Sequence, residues 1–180
     1  DIWRHQAEVT GLTPGVRVPY RITSVREDGE SVSSDVFSLA PKPEPGTPLK
    51  ILLTSDHQLK PMTSANLQKV VETVGRRVDA VLFAGDLVNI PDRASEWFDD
   101  NRGGALFPGL QGRTKYAIEH NGVKTFYSGG QIIQHAPMFP CIGNHEVMGR
   151  LGRTASLDDE FNDAIPRAVA QRLYSGKSLK

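Results

Sequence analysis

The order of hydrophobic and polar positions changes character near residue 48. Before it, the pattern is short and alternating. Residues 7–10 alternate, residues 16–22 alternate again, and residues 31–39 offer a last such stretch. Alternation sends successive side chains to opposite faces, so these segments are predicted strands. Leu12-Thr13-Pro14-Gly15 reads as a turn, and Glu27-Asp28-Gly29-Glu30 as a hairpin turn with Asp-Gly at its centre. Pro19 lacks an amide proton, so its strand should be an edge or carry a bulge. Residues 41–48 hold four prolines and read as a stiff linker.

After the linker the apolar runs become continuous. Residues 49–54 form one, ending at Ser55-Asp56-His57-Gln58. Residues 80–84 form another, ending at Gly85-Asp86. Residues 137–142 form a third, running into Gly143-Asn144-His145-Glu146. Short continuous runs suit strands buried on both faces of a parallel sheet. Between the first two, Leu67, Val70, Val71 and Val74 recur at helical spacing behind a cap at Thr63 or Ser64. That predicts a βαβ unit with a right-handed crossover. Residues 91–136 are harder to place: a helical turn over residues 94–100, then glycine-rich loops. The tail from Ser156 has helical character, interrupted at Pro166.

Composition narrows the function. The 180 residues carry 21 Lys plus Arg and 21 Asp plus Glu, for zero formal charge. A general nucleic-acid binder wants a basic excess, so that class is disfavoured. No apolar run approaches the roughly 20 residues of a membrane span. Cys141 is the single cysteine, which excludes an internal disulfide and suits a small hydrophobe in a buried strand. No phosphate-binding P-loop or Gly-x-Ser-x-Gly elbow is present.

The candidate chemistry lies at the strand ends. Asp56 with Gln58, then Asp86, then Asn144 with His145 would share one rim, because ligand sites of parallel sheets lie outside the carboxyl ends of the strands. Carboxylate and carbonyl oxygens suit hard or borderline divalent metals. A carboxylate that bridges two ions lets them share one water, lower its pKa and clamp a phosphoryl group. Gly85 and Gly143 stand just before Asp86 and Asn144, where a missing Cβ allows a sharp exit from the strand.

Ser55-Asp56, Gly85-Asp86-Leu87-Val88-Asn89 and Gly143-Asn144-His145-Glu146, in this order after buried strands, resemble the calcineurin-like metallophosphoesterase superfamily. The match runs from about residue 49 to residue 146. Residues 1–40 resemble the C-terminal strands of a fibronectin type III domain, with Tyr20 at the second aromatic position and Val18 at the first. Together they resemble the purple acid phosphatase branch. The implied fold is a partial N-terminal β-sandwich over residues 1–40, a linker over 41–48, and a partial α/β metallophosphoesterase sandwich over 49–180.

The resemblance implies hydrolysis of phosphate esters by a hydroxide bridging two divalent or trivalent ions (Zn, Mn, Fe or Mg). Asp56 and Gln58 would bind the first ion, Asp86 both and Asn144 the second. His145 would protonate the leaving group. A phosphate ester would be the partner molecule, and the fibronectin-like segment favours an extracellular or periplasmic location. Several positions depart from the family pattern. Gln58 stands where histidine is usual. Asn89 replaces the Tyr that binds iron in purple acid phosphatases and the Asp that partners the motif histidine elsewhere. The distal Gly-His-x-His is absent, since no histidine follows His145. This chain is therefore expected to supply the first half of the site, the rest coming from a C-terminal part of the same protein.

Weaker candidates are His57, substrate-facing or structural, and Arg150, which with Arg153 either steers an anionic substrate or belongs to a solvated basic loop. His120 and His135 are expected to be structural or on the surface, and Trp97 and Phe98 to pack. Two other functions stay open. One is a phosphodiesterase or nucleotide pyrophosphatase of the same superfamily. The other is a non-catalytic binding protein that keeps the fold, suggested by Gln58, Asn89 and the absent histidines.

Overall fold

The computed structural model describes residues 5–74, 78–91, 93–99, 103–146 and 172. The N-terminal region forms four three-residue strands: β1 (Val18–Tyr20), β2 (Thr23–Val25), β3 (Ser31–Ser33) and β4 (Phe37–Leu39). They pair as two separate antiparallel ribbons, β1 with β4 and β2 with β3. Pro19 opposite Ser38 is tolerated because a two-stranded ribbon has only edges. The Asp28-Gly29 turn closes the β2–β3 hairpin as expected. Gly29 has φ +87°, and the Asp28 carboxylate accepts the Glu30 amide at 3.1 Å.

Two expectations fail in this region. Residues 7–10 form no strand, and the stretch 31–39 breaks into β3 and β4. Short polar segments such as residues 7–10 have too little apolar surface to hold a ladder together.

Beyond the linker come β5 (Ile51–Thr54), α1 (Thr63–Val74) and β6 (Ala80–Phe83). The insertion follows with α2 (Ala94–Phe98), α3 (Leu106–Leu110), β7 (Tyr116–His120) and β8 (Val123–Tyr127), and then β9 (Met138–Pro140). Strands β5, β6 and β9 make a parallel sheet in that order, so the βαβ unit forms as predicted. The inner face of the sheet, through Val81 and Phe83, joins Leu67 of α1, Leu106 and Leu110 of α3, and Ile132 in one core.

The sheet is not buried on both faces among the described residues. Leu53, Leu82 and Phe139 lie in register on the other face, and all three are exposed. The helices cover one side only. Cys141, just past β9, is exposed rather than buried. Phe98 is also exposed and stacks on Phe107, while Trp97 packs against the core.

The N-terminal ribbons are fastened to the α/β region at the end of the sheet opposite the polar loops. Arg17 donates to the carbonyls of His135 (2.7 Å) and Val78 (3.0 Å) and pairs with Asp79 at 3.1 Å. The Tyr20 hydroxyl donates to the Gln134 carbonyl at 2.7 Å, and burial raises the Tyr20 pKa. His135 accepts the Ser38 amide on Nδ1. This is a structural role, as expected. His120 sits exposed at the end of β7 beside the Asn121 side chain.

Candidate metal centre

Three loops leave the carboxyl ends of β5, β6 and β9, and backbone bonds lace them together. The Ala84 amide donates to the Thr54 carbonyl (2.8 Å) and the Cys141 amide to the Phe83 carbonyl (2.7 Å), extending the sheet by one step. The Asp56 amide then reaches the Gly85 carbonyl and the Gln58 amide the Leu87 carbonyl, each at 3.2 Å.

The backbone is strained at this rim. Asp56 (φ 53°), Gln58 (42°) and Asp86 (55°) all adopt the left-handed conformation, although none is glycine. Such residues cost about 1–3 kcal/mol each and persist where the surroundings impose them, most often at functional sites.

Asp86 is the centre of the arrangement. Its Oδ2 accepts the Gln58 side-chain amide at 3.0 Å, and its Oδ1 accepts the His145 backbone amide at 3.1 Å. Thus the structure brings Gln58, Asp86 and the His145 backbone together. Asp56 is exposed, with its carboxylate 3.8 Å from Lys60 Nζ. Asn144 is exposed within the third loop, between Gly143 and His145.

The two motif glycines admit each other rather than a substrate. A Cβ on Gly85 (φ +89°) would lie 2.7 Å from both N and Cα of Gly143. A Cβ on Gly143 would collide with Asp86 Oδ1. Only two glycines let these loops touch with the Asp86 carboxylate between them.

Glu146 locks that contact. Its Oε2 accepts the amides of Asp86 (2.9 Å) and Gly143 (2.8 Å), and its Oε1 accepts the Leu87 amide (2.8 Å). A second carboxylate, Glu96 of α2, accepts the Asn89 and Ile90 amides on Oε2, both at 2.8 Å. Neither role was assigned from the sequence. Glu146 stood inside the motif as a signal, whereas Glu96 left only one acid among the apolar residues of α2.

His145 is half-buried, and its Nδ1 lies 2.8 Å from the Asn89 carbonyl oxygen. A carbonyl only accepts, so Nδ1 carries a proton. Asn89 thus meets the imidazole through its main-chain carbonyl.

His57 does not face the rim. It is 7% exposed, its ring packs edge-on against Phe83 at 4.5 Å, and Nε2 bonds Thr54 Oγ1 at 2.9 Å. Burial pushes its pKa down to about 4, so it is neutral at physiological pH. The left-handed turns at Asp56 and Gln58 rotate His57 inward while aiming Gln58 at Asp86. The substrate-facing expectation for His57 therefore gives way to a packing role. Arg150, Arg153 and the tail from Ser156 to Pro166 lie outside the described residues.

No group of three His, Cys, Asp or Glu among the described residues is placed to hold a metal. Asp56, Gln58, Asp86 and Asn144 are all oxygen donors, which fits a hard, oxygen-preferring cation in type. Four donors fall short of two complete coordination shells, so a second ion would need further ligands.

A family model described as calcineurin-like phosphoesterase matches residues 49–176. No curated protein matches the chain. The chain is similar to a solved purple acid phosphatase isolated from yellow lupin (Lupinus luteus) seeds. That likeness has 15% identity and a TM-score of 0.48, and covers 94% of this chain and 27% of the other. The chain thus spans about a quarter of that structure's length.

Proposed function

The chain belongs to the calcineurin-like phosphoesterase family, and on that premise we propose that it takes part in metal-dependent hydrolysis of phosphate esters at the rim centred on Asp86. Family members generally use divalent metal ions. The observation that carries the reading is the convergence of three loops, two of them strained, on one carboxylate. Asp86 touches Gln58 from the first loop and the His145 amide from the third. Such strain is retained where a site demands it.

In this reading Asp56, Gln58, Asp86 and Asn144 would hold the metal, with Asp86 common to two ions, Asp56 and Gln58 serving the first and Asn144 the second. The ions supply charge neutralisation for the phosphoryl oxygens and a water of lowered pKa. Gln58 now donates to Asp86, so its amide must turn for its oxygen to bind metal. His145 keeps its Nδ1 proton on the Asn89 carbonyl; in the imidazolium form it carries a second proton on Nε2, and that proton would pass to the leaving oxygen. The remaining ligands would come from a C-terminal part of the same protein. An extracellular or periplasmic location rests on the fibronectin-like reading of residues 1–40 alone. No helix among the described residues is long and apolar enough to cross a membrane.

The test is hydrolysis of an aryl phosphate by the full-length protein and by its Asp86→Asn variant. Loss of the shared ligand should lower the rate on the order of a hundredfold or more, in step with lost metal. An unchanged rate with unchanged metal content overturns the proposal. A parallel assay on a diester separates a phosphomonoesterase from a diesterase or pyrophosphatase of the same family. One observation favours the non-catalytic reading: Gln58 spends its amide on Asp86, as a neutral substitute for a cation. A protein that binds no transition metal and hydrolyses neither ester would support it.

A further inference from the structure

Glu96 is an expensive residue to keep. It is 4% exposed, on a helix whose neighbouring Trp97 packs against the core. A buried carboxylate costs several kcal/mol unless it is fully hydrogen-bonded, and an apolar side chain would fill the same place at no such cost. Its nearest cation, Arg93, is itself exposed and stands 3.8 Å from Oε1. What Oε2 holds are the amides of Asn89 and Ile90.

The Ile90 amide and the Asn89 carbonyl belong to one peptide group. No described peptide bond is cis, so the N–H and the C=O point in opposite directions. On one side the N–H donates to Glu96. On the other the C=O accepts the Nδ1 proton of His145 at 2.8 Å. A negative charge on the N–H side polarises the amide and makes its carbonyl a stronger acceptor. The imidazole is thus coupled to a carboxylate one peptide removed, much as a direct carboxylate contact fixes a histidine tautomer elsewhere.

We propose that Glu96 is a positioning residue for His145, acting through the Asn89–Ile90 peptide. It fixes a proton on Nδ1, so that in the imidazolium form the transferable proton is the one on Nε2. The inference rests on the proposed role of His145 as leaving-group acid, but its first test does not need hydrolysis.

That test is nitrogen-15 NMR of the His145 ring in the full chain at about pH 8, above the ordinary imidazole pKa. It is run with Zn or Mg bound and again without metal. The expected wild-type result is a dominant Nδ1–H tautomer. Glu96→Gln keeps the shape and one acceptor oxygen but removes the charge. It should shift both the Ile90 amide proton and the His145 Nδ1 proton upfield, as both bonds weaken. Glu96→Leu should reduce the Nδ1–H form to a minority. A Glu96→Gln variant in which the Ile90 proton moves and the His145 proton does not would overturn the proposal. So would a folded Glu96→Leu with the wild-type tautomer.

In kinetics, losing the oriented acid should hurt poor leaving groups most. Glu96→Gln should lower kcat on an alkyl phosphate about threefold or more beyond its loss on an aryl phosphate, with KM unchanged. Equal losses on both substrates would overturn the positioning role. Failure of hydrolysis with an intact relay would count against the phosphoesterase reading alone.

Discussion

At Gly85 a single hydrogen decides whether two loops can meet. An added methyl would sit 2.7 Å from the Gly143 backbone, and φ +89° is a conformation that residues with a Cβ resist. Gly85→Ala should therefore cost about 3 kcal/mol of folding stability, from strain and overpacking together. Urea denaturation measures this, and a loss below about 0.5 kcal/mol would show that the loops part easily. Residue by residue, the sequence made the candidate oxygen donors legible, because Asp56, Gln58, Asp86 and Asn144 follow recognisable strand ends. It did not reveal which partner each one meets. The Asn89 carbonyl as partner of His145 was invisible, because a backbone group leaves no mark in residue identity. Glu96 acts on backbone amides too and escaped notice for the same reason, while Glu146, a candidate to orient the imidazole by its place in the motif, instead accepts three backbone amides.

Among the elements, α1 was plain from its helical apolar spacing and the three parallel strands from their short continuous apolar runs. The β7–β8 hairpin was missed, although it carried a direct signal. Asn121-Gly122 sits between two runs that pair over five positions, and both turn residues have positive φ, 51° and 75°. An Asn-Gly pair is the favoured two-residue hairpin turn for that reason. The surrounding glycine-rich loops masked it. The N-terminal ribbons depend on anchors rather than on their own core, since β2 and β3 are wholly exposed. Arg17 is the main anchor, with two carbonyl bonds and an ion pair. Arg17→Ala should cost about 2 kcal/mol and speed proteolysis within the linker over residues 41–48. Wild-type stability together with wild-type proteolysis would show that the ribbons are held by other contacts.

For the molecule as a whole, the zero net charge says little, because the proposed site occupies a single rim of the sheet. The parallel sheet was expected to be covered on both faces, yet Leu53, Leu82 and Phe139 line an exposed face among the described residues. Strand composition tells how apolar a segment is, but what covers its second face is set by chain outside that segment. The fibronectin-like sandwich expected over residues 1–40 appears as two ribbons without a shared sheet. The central claim is that three loops meet at Asp86 to hold metal. Elemental analysis after equilibrium dialysis of the full-length protein against Zn or Mn, beside its Asp86→Asn variant, tests that claim most directly. The account expects about two equivalents in the wild type and a loss of most of that metal in the variant. A wild type that binds none, or a variant that binds as much, would contradict it.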